Sequence, residues 1–224
     1  MEYRRLGRSG LKVSVVGLGT WLTFGRDQDR DNAVVDAAID EGINFFDTAN
    51  TDAKGQAEVH LGRALSRHRR DNLVIATKVW GPTGPGPNER GLSRKHLRAA
   101  CEASLRRLGV EAIDLYQCQR YDHDVTLDEV VSTMTDLVRE GKIHYWGVCG
   151  WDENQLHNVA QISDGLGREP LTAYQARYSL LDTEAAATLF PTCWQRSLGV
   201  IAYSPLAQGV LTCKYVGGGE PRAG

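Results

Sequence analysis

The chain has 224 residues, and its 26 lysines and arginines nearly balance 28 aspartates and glutamates, for a formal net charge of −2. That length suits one large α/β domain with a full core, and the near-neutral balance excludes the broad positive field that gathers nucleic acid or an anionic membrane surface. No apolar run nears the roughly 20 residues that cross a bilayer, and the N-terminus lacks a signal peptide's apolar segment and cleavage site, so a soluble, cytoplasmic protein without membrane insertion is expected.

Short apolar runs rich in Val, Ile and Tyr alternate with longer amphipathic ones along the chain. Residues 13–20, 43–48, 73–79, 113–118, 143–149, 171–176 and 200–205 read as buried strands. Helical periodicity occupies 31–42, 57–68, 93–109, 126–141, 152–163 and 182–199. Ser93 and Thr126 sit where N-caps belong, and Gly109 and Gly141 where the helices should stop. Cys101, Cys118, Cys149, Cys193 and Cys213 are odd in number and widely spaced without a C-x-x-C pair, which points to reduced thiols and to neither a disulfide framework nor a metal site.

Strands alternating with helices imply a parallel sheet covered by helices, either a barrel or a doubly wound layer. The barrel is favoured because "GLGTWLTFG" (17–25) is no G-x-G-x-x-G turn and leads into polar loop sequence rather than a helix. The expected fold is therefore a (β/α)₈ TIM-type barrel spanning 1–224 as a single domain and truncated after the seventh strand, because one strand and two helices of a full barrel are missing after "YSPLAQGVLTCKYVGGGEPRAG". In such a barrel function gathers at the C-terminal strand ends, which here carry Asp47, Lys78, Gln119, Cys149, Gln175 and Tyr203.

The segments "YRRLGRSGLKVSVVGLGTW", "GINFFDTAN", "KGQAEVHLGRAL", "LVIATKVWG", "IDLYQ", "VREGKIHYWGV" and "GVIAYSPLAQGVLTCKY" run through nearly the whole chain. Together they resemble the aldo-keto reductases, most of all the branch that holds the β subunits of voltage-gated potassium channels and their bacterial relatives. The resemblance implies reduction of a small aldehyde or ketone with NADP(H), a tyrosine giving the proton while an Asp, a Lys and usually a His assist it. Asp47 matches the family's Asp, Lys78 its Lys, and Gln119 stands in place of the His. The family pattern Asp-Thr-Ala-x-x-Tyr reads "DTANTD" here, so Asp52 takes the tyrosine's place. A carboxylate is several bonds shorter than a phenol, and its reference pKa is about 3.9 against roughly 10, so beside a lysine Asp52 is expected to be ionised at neutral pH, a base and not an acid.

For the cofactor, the resemblance puts Cys149 and Gly150 where the branch has a Ser-Arg pair. It assigns Gln175 to the nicotinamide carboxamide, Tyr203 to stacking on that ring, Ser204, Pro205, Leu206 and Ala207 to the pyrophosphate, and Lys214 to a phosphate. The family segment that grips the adenosine 2′-phosphate lies beyond Gly224, which implies weakened NADP(H) affinity.

Trp21, Trp80 and Trp151 fall in strand-end loops, where they wall a substrate pocket or simply pack the core or rim. His60, His96, His123, His144 and His157 lie at no metal-ligand spacing and are expected at the surface. Tyr121, close in sequence to Gln119, is a candidate substitute phenol. Three functions remain open: a reductase with weakened carbonyl reduction, a redox-neutral acid/base enzyme for elimination, epimerisation or hydration built on Asp47, Asp52 and Lys78, and a non-catalytic cofactor-binding or regulatory barrel that assembles as a homo-oligomer.

Overall fold

Successive residues of a strand face opposite sides, and that alternation divides the core of this molecule in two. The computed structural model describes residues 1–215. A hairpin of β1 (Tyr3–Arg5) and β2 (Lys12–Ser14) comes first, followed by seven parallel strands: β3 (Leu18–Gly19), β4 (Phe45–Asp47), β5 (Val74–Val79), β6 (Ile113–Cys118), β7 (Ile143–Cys149), β8 (Ala173–Arg177) and β9 (Gly199–Tyr203). These seven pair in chain order from β3 to β9, a nearly closed barrel of the (β/α)₈ type. Phe45, Val74, Ala76, Leu115 and Ala173 fill its interior, with Tyr145 and Ile201 packed on them. Phe46, Ile75, Val79, Tyr116, Trp146, Val148 and Tyr174 belong to the larger core between strands and helices.

The covering helices are α1 (Gln28–Asp40), α2 (Gln56–Leu65), α3 (Arg94–Leu108), α4 (Leu127–Arg139), α5 (Glu153–Ser163), α6 (Glu184–Thr188) and α7 (Phe190–Gln195). Ser93 and Thr126 cap as their sequence positions predict, accepting from the amides of His96 and Glu129. Gly109 ends α3 in the left-handed region at φ 66, and Gly141 follows α4 at φ 71. Asp152 and Gln155 form a reciprocal capping box at the start of α5.

Two expectations need correction. The apolar run 13–20 is not one strand: Lys12–Ser14 pairs antiparallel with Tyr3–Arg5, and only Leu18–Gly19 joins the barrel, beside β4. The unforeseen hairpin is a plug, since Leu6 is buried in the barrel interior with Leu11 and Val13 against it. Its turn residue Gly7, at φ +56, lies so close to β9 that an added Cβ would stand 2.3 Å from the Gly199 nitrogen. The helix expected over 182–199 is two, α6 and α7, because Pro191 has no amide hydrogen to continue the first and sits instead in the opening turn of the second.

A cavity of about 1160 Å³ opens on this plugged end beside Lys12, His68, Arg70, Asp114 and His144. It faces the N-terminal ends of β5, β6 and β7, so it is separated by the length of the barrel from the polar residues at the other mouth. Among the described residues no helix is long and apolar enough to cross a membrane.

Candidate active site at the C-terminal mouth of the barrel

Toward the C-terminal ends of β4, β5, β6 and β8 the inward-facing positions become polar. Asp47 is two residues past Phe45, Lys78 two past Ala76, Gln117 two past Leu115 and Gln175 two past Ala173, so the period of two that builds the apolar plug also aims these four inward. Lys78 Nζ donates to Asp47 Oδ2 at 2.5 Å and to the Thr48 carbonyl at 2.8 Å. Asp47 Oδ1 accepts from Gln117 Nε2 at 3.1 Å and Gln175 Nε2 at 3.2 Å. The lysine and aspartate side chains are only 8% and 17% exposed, so the pair is largely shielded from water, and residues of four strands hold its geometry. Thus Asp47, Lys78 and Gln175 are brought together as the sequence suggested, and Gln117 joins them unannounced. The signal for Gln117 was available: it lies on the same strand face as Gln119 and pairs in register with Lys78.

Asp52 lies on the loop that leaves β4. The loop is tied to β5 by the Asn50 amide, which donates to the Lys78 carbonyl at 3.1 Å. After Asp52 the backbone is left-handed at three successive residues, Ala53 (φ 46), Lys54 (φ 56) and Gly55 (φ 85). Such backbone strain in non-glycine residues persists only where the surroundings impose it. Gly25 is part of that imposition: at φ +91 its would-be Cβ lies 2.7 Å from Ala53 Cβ. Asp52 Oδ2 accepts from Thr20 Oγ1 at 3.3 Å. Burial pushes the Asp52 carboxyl up to about 6; the Lys78 charge opposes this, Asp47 adds to it, the Thr20 hydrogen bond opposes and Glu58 adds. The expectation from reference values is therefore corrected in degree. Lys78 does favour the carboxylate, but desolvation outweighs it, and at pH 7 a carboxyl of this strength keeps its proton in roughly one molecule in ten.

Gln119 continues the β6 direction, its amide bonded to the Val79 carbonyl at 2.9 Å, and its half-buried side chain makes no hydrogen bond among the described residues. Cys149 is buried and donates its thiol to Gln175 Oε1 at 3.6 Å, while burial raises it to about 11, so it is a neutral thiol under ordinary conditions. Gly150 turns the chain away at φ +68. Tyr203 ends β9 half-buried, with its phenol pushed up by burial. Beyond it Ser204 (φ 53), Ala207 (φ 47), Gln208 (φ 55) and Gly209 (φ 95) give the loop repeated left-handed turns, around Pro205 and Leu206. The turns close on themselves, the amides of Ala207 and Gly209 donating to the Ser204 and Leu206 carbonyls, both at 2.9 Å. The loop 204–209 holds no acidic residue, and Lys214 stands exposed after it, so these residues fit the phosphates of a dinucleotide.

The aromatic candidates separate. Trp21 is exposed, and Trp80 is half-buried on the rim. Trp151 is 1% exposed and lies in the main core, its carbonyl accepting from Tyr174 Oη at 2.6 Å, so it packs and does not wall a pocket. Tyr121 is set edge-on to both Trp151 and His123, with centroids 4.9 Å away. The surface reading of the histidines fails for two. His96 is 2% exposed, and His60 Nδ1 lies 2.8 Å from Asp31 Oδ2 beneath the loop that holds Gly25. Also unforeseen is Asn50, 3% exposed with neither side-chain polar atom hydrogen-bonded among the described residues.

Fold and site together define a TIM-type barrel protein whose buried Asp–Lys pair stands at the C-terminal mouth. A family model described as the Aldo/keto reductase family matches residues 15–223, and the chain belongs to that family. Its similarity to a probable voltage-gated potassium channel subunit beta of Arabidopsis thaliana is 38% identity over 99% of this chain and 69% of the relative. A protein of the same description from Oryza sativa subsp. japonica is 37% identical over the same shares. The family and these relatives support an oxidoreductase of the NADP(H)-dependent kind, acting on small carbonyl compounds.

Proposed function

We propose that the chain is an NADP(H)-dependent oxidoreductase of a small aldehyde or ketone with an altered catalytic set, in which Asp52 replaces the tyrosine and Gln119 the histidine. The observation that carries this reading is the Asp47–Lys78 pair, fixed by Gln117 and Gln175 at the barrel mouth. When bound, the dinucleotide supplies a hydride to the carbonyl carbon. Gln175, Tyr203, the loop from Ser204 to Ala207 and Lys214 are the residues that would hold it.

The rest falls to the protein's own groups. An ammonium has three hydrogens, and Lys78 places two of them on Asp47 and Thr48; the third is left for the substrate oxygen or for Asp52. Protonated Asp52 is the acid that neutralises the developing alkoxide, through a bridging water because its side chain is short. Gln119 offers an amide donor to the same oxygen. With the acid near 6, turnover is expected to rise as pH falls through that value. NADPH binding is read from nicotinamide fluorescence, and Asp52→Tyr, which restores the longer and weaker acid, is expected to raise aldehyde reduction at neutral pH about 10²- to 10⁴-fold. No gain in that variant would defeat the assignment of Asp52.

A second reading is favoured by the contrast between the two carboxyls: Asp47 is held by a lysine and two amides, whereas Asp52 is desolvated and keeps a hold on its proton. Two carboxyl groups in unlike environments can serve as base and acid in a redox-neutral elimination, epimerisation or hydration. Turnover by cofactor-free protein would select that reading over the first. The description of the relatives as channel subunits favours a third, regulatory one, whose signature is tight NADPH retention with no turnover of any aldehyde.

A further inference from the structure

Lys78 is not the only cation at this mouth. Trp80, two residues further along the same strand end, carries the guanidinium of Arg90 at 5.3 Å and that of Arg120 at 5.4 Å from its ring centroid. Arg120 directly follows Gln119. Both arginines are exposed, and neither makes an ion pair or a side-chain hydrogen bond among the described residues. The carboxylates nearest in sequence are already engaged with backbone: Glu89 accepts from the Gly86 amide, and Asp122 accepts from the amides of Leu92 and Asp124.

The backbone that presents the two arginines is fixed. Gly91 donates to the Trp80 carbonyl at 2.8 Å and Leu92 donates to Asp122 at 2.8 Å, so Arg90 is delivered by a loop pinned at its base. Arg120 is pinned by the Gln119 amide on the Val79 carbonyl at 2.9 Å. A planar guanidinium stacked on an indole keeps its edge donors free, and a stacked arginine loses less entropy on binding than a free one. Two such forks held by one indole, without a carboxylate partner among the described residues, suit a carboxylate or phosphate.

We propose that Arg90 and Arg120, ordered on Trp80, form an anion subsite at the barrel mouth that directs the site toward small carbonyl compounds carrying a carboxylate or phosphate group. The subsite borders the chemistry along the chain, since Trp80 lies two residues past Lys78 and Arg120 directly follows Gln119. This assignment of substrate class rests on the proposed reductase reading, but binding at the subsite does not depend on turnover.

The test therefore has two arms. In the first, benzoate, phenyl phosphate and neutral benzamide are titrated against tryptophan fluorescence of the cofactor-loaded protein. The anions are expected to bind about tenfold or more tightly than benzamide, with binding weakened by salt. Arg90→Gln and Arg120→Gln are each expected to remove most of that preference, and Arg120→Lys to restore only part of it. In the second arm, kcat/KM is compared for 4-carboxybenzaldehyde, 4-formylphenyl phosphate and the methyl ester of the former, the first two reporting which anion is preferred. The arginine variants should lose rate on the anions through KM and leave the ester unchanged. Equal binding of benzoate and benzamide by the wild type overturns the subsite, as does a uniform loss of rate on all three aldehydes in the variants. Selective anion binding with no reduction of any aldehyde sinks the reductase reading and leaves the subsite standing. Both residues are exposed, so folding of the variants is not at risk, and circular dichroism verifies it.

Discussion

Gln175 donates its amide to Asp47 Oδ1 across 3.2 Å although the two residues stand 128 positions apart in the chain. The contact joins β8 to β4 over the open end of the barrel, and Gln117 reaches the same oxygen from β6. Asp47 is thus the hub of the mouth, and Lys78 depends on it for its only carboxylate partner among the described residues. Asp47→Asn leaves a shielded ammonium without a counterion, and the expected loss is about 3 kcal/mol of stability. Lys78→Met strands the carboxylate in turn, though two amides still serve it. The double variant is expected to cost clearly less than the two single losses together, the mark of a direct coupling. Urea unfolding of the three variants measures all of this.

Asp52 gives the molecule an unusual pH dependence. An acid that titrates near 6 when folded and at its ordinary value when unfolded binds its proton more tightly in the folded state, so folded stability is greatest below pH 4 as far as this group is concerned and falls as pH rises through about 6. The total loss is on the order of 3 kcal/mol. Asp52→Asn removes the penalty of burying a charge. It is expected to be more stable than the wild type at pH 7.5 by up to that amount, and no more stable at pH 3.5. Parallel denaturant titrations at the two pH values decide it, and an equal gain at both would mean that the carboxyl is not desolvated.

Thr20 restrains that titration. Its hydroxyl lies 2.7 Å from Thr48 Oγ1 and 3.3 Å from Asp52 Oδ2, and the hydrogen bond to Asp52 favours the charged form. Thr20→Val keeps the shape but removes the donor, so the Asp52 carboxyl should titrate at a higher pH still. Carbon-13 NMR of the aspartate carboxyls follows the shift directly. If Asp52 is the acid of the reaction, the pH profile of kcat/KM moves upward with it.

Much of this was legible because barrel strands encode position twice. The apolar runs at 113–118 and 143–149 coincide with β6 and β7 residue for residue, since β6 is buried throughout, β7 is buried from Trp146 on, and both are bounded by polar sequence. Their position at C-terminal strand ends then placed Asp47, Lys78 and Gln175 at the mouth. What could not be read depended on partners distant in the chain. The Tyr3–Ser14 hairpin was hidden because Val13 belongs to an apolar run that continues to Leu18, and only the unfilled barrel floor explains why the run breaks. Likewise, reference values could not give the proton affinity of Asp52, which depends on how completely the loop at 48–55 and the segment around Thr20 exclude water.

Gly62, in the middle of α2, sets a last expectation against simple helix propensity. Alanine in place of a helical glycine ordinarily gains about 1 kcal/mol. Here the added Cβ would stand 2.3 Å from the Leu108 carbonyl oxygen and 2.6 Å from its carbon, so the obstacle is backbone at the end of α3 and not a side chain that can swing aside. The overlap is expected to outweigh the propensity, with a net loss of about 1–3 kcal/mol. The displacement should also reach the site. Helix α2 carries Glu58, whose buried carboxylate accepts from Thr77 Oγ1 and from Arg107 Nε, both at 2.6 Å, one turn after the Asp52 loop. Gly109→Ala is the control, because Gly109 is left-handed at φ +66 but has nothing within 4 Å of an added Cβ. It carries only the backbone strain of about 1 kcal/mol. Thermal unfolding should therefore rank wild type above Gly109→Ala and Gly109→Ala above Gly62→Ala, with the Asp52 titration altered only in the last.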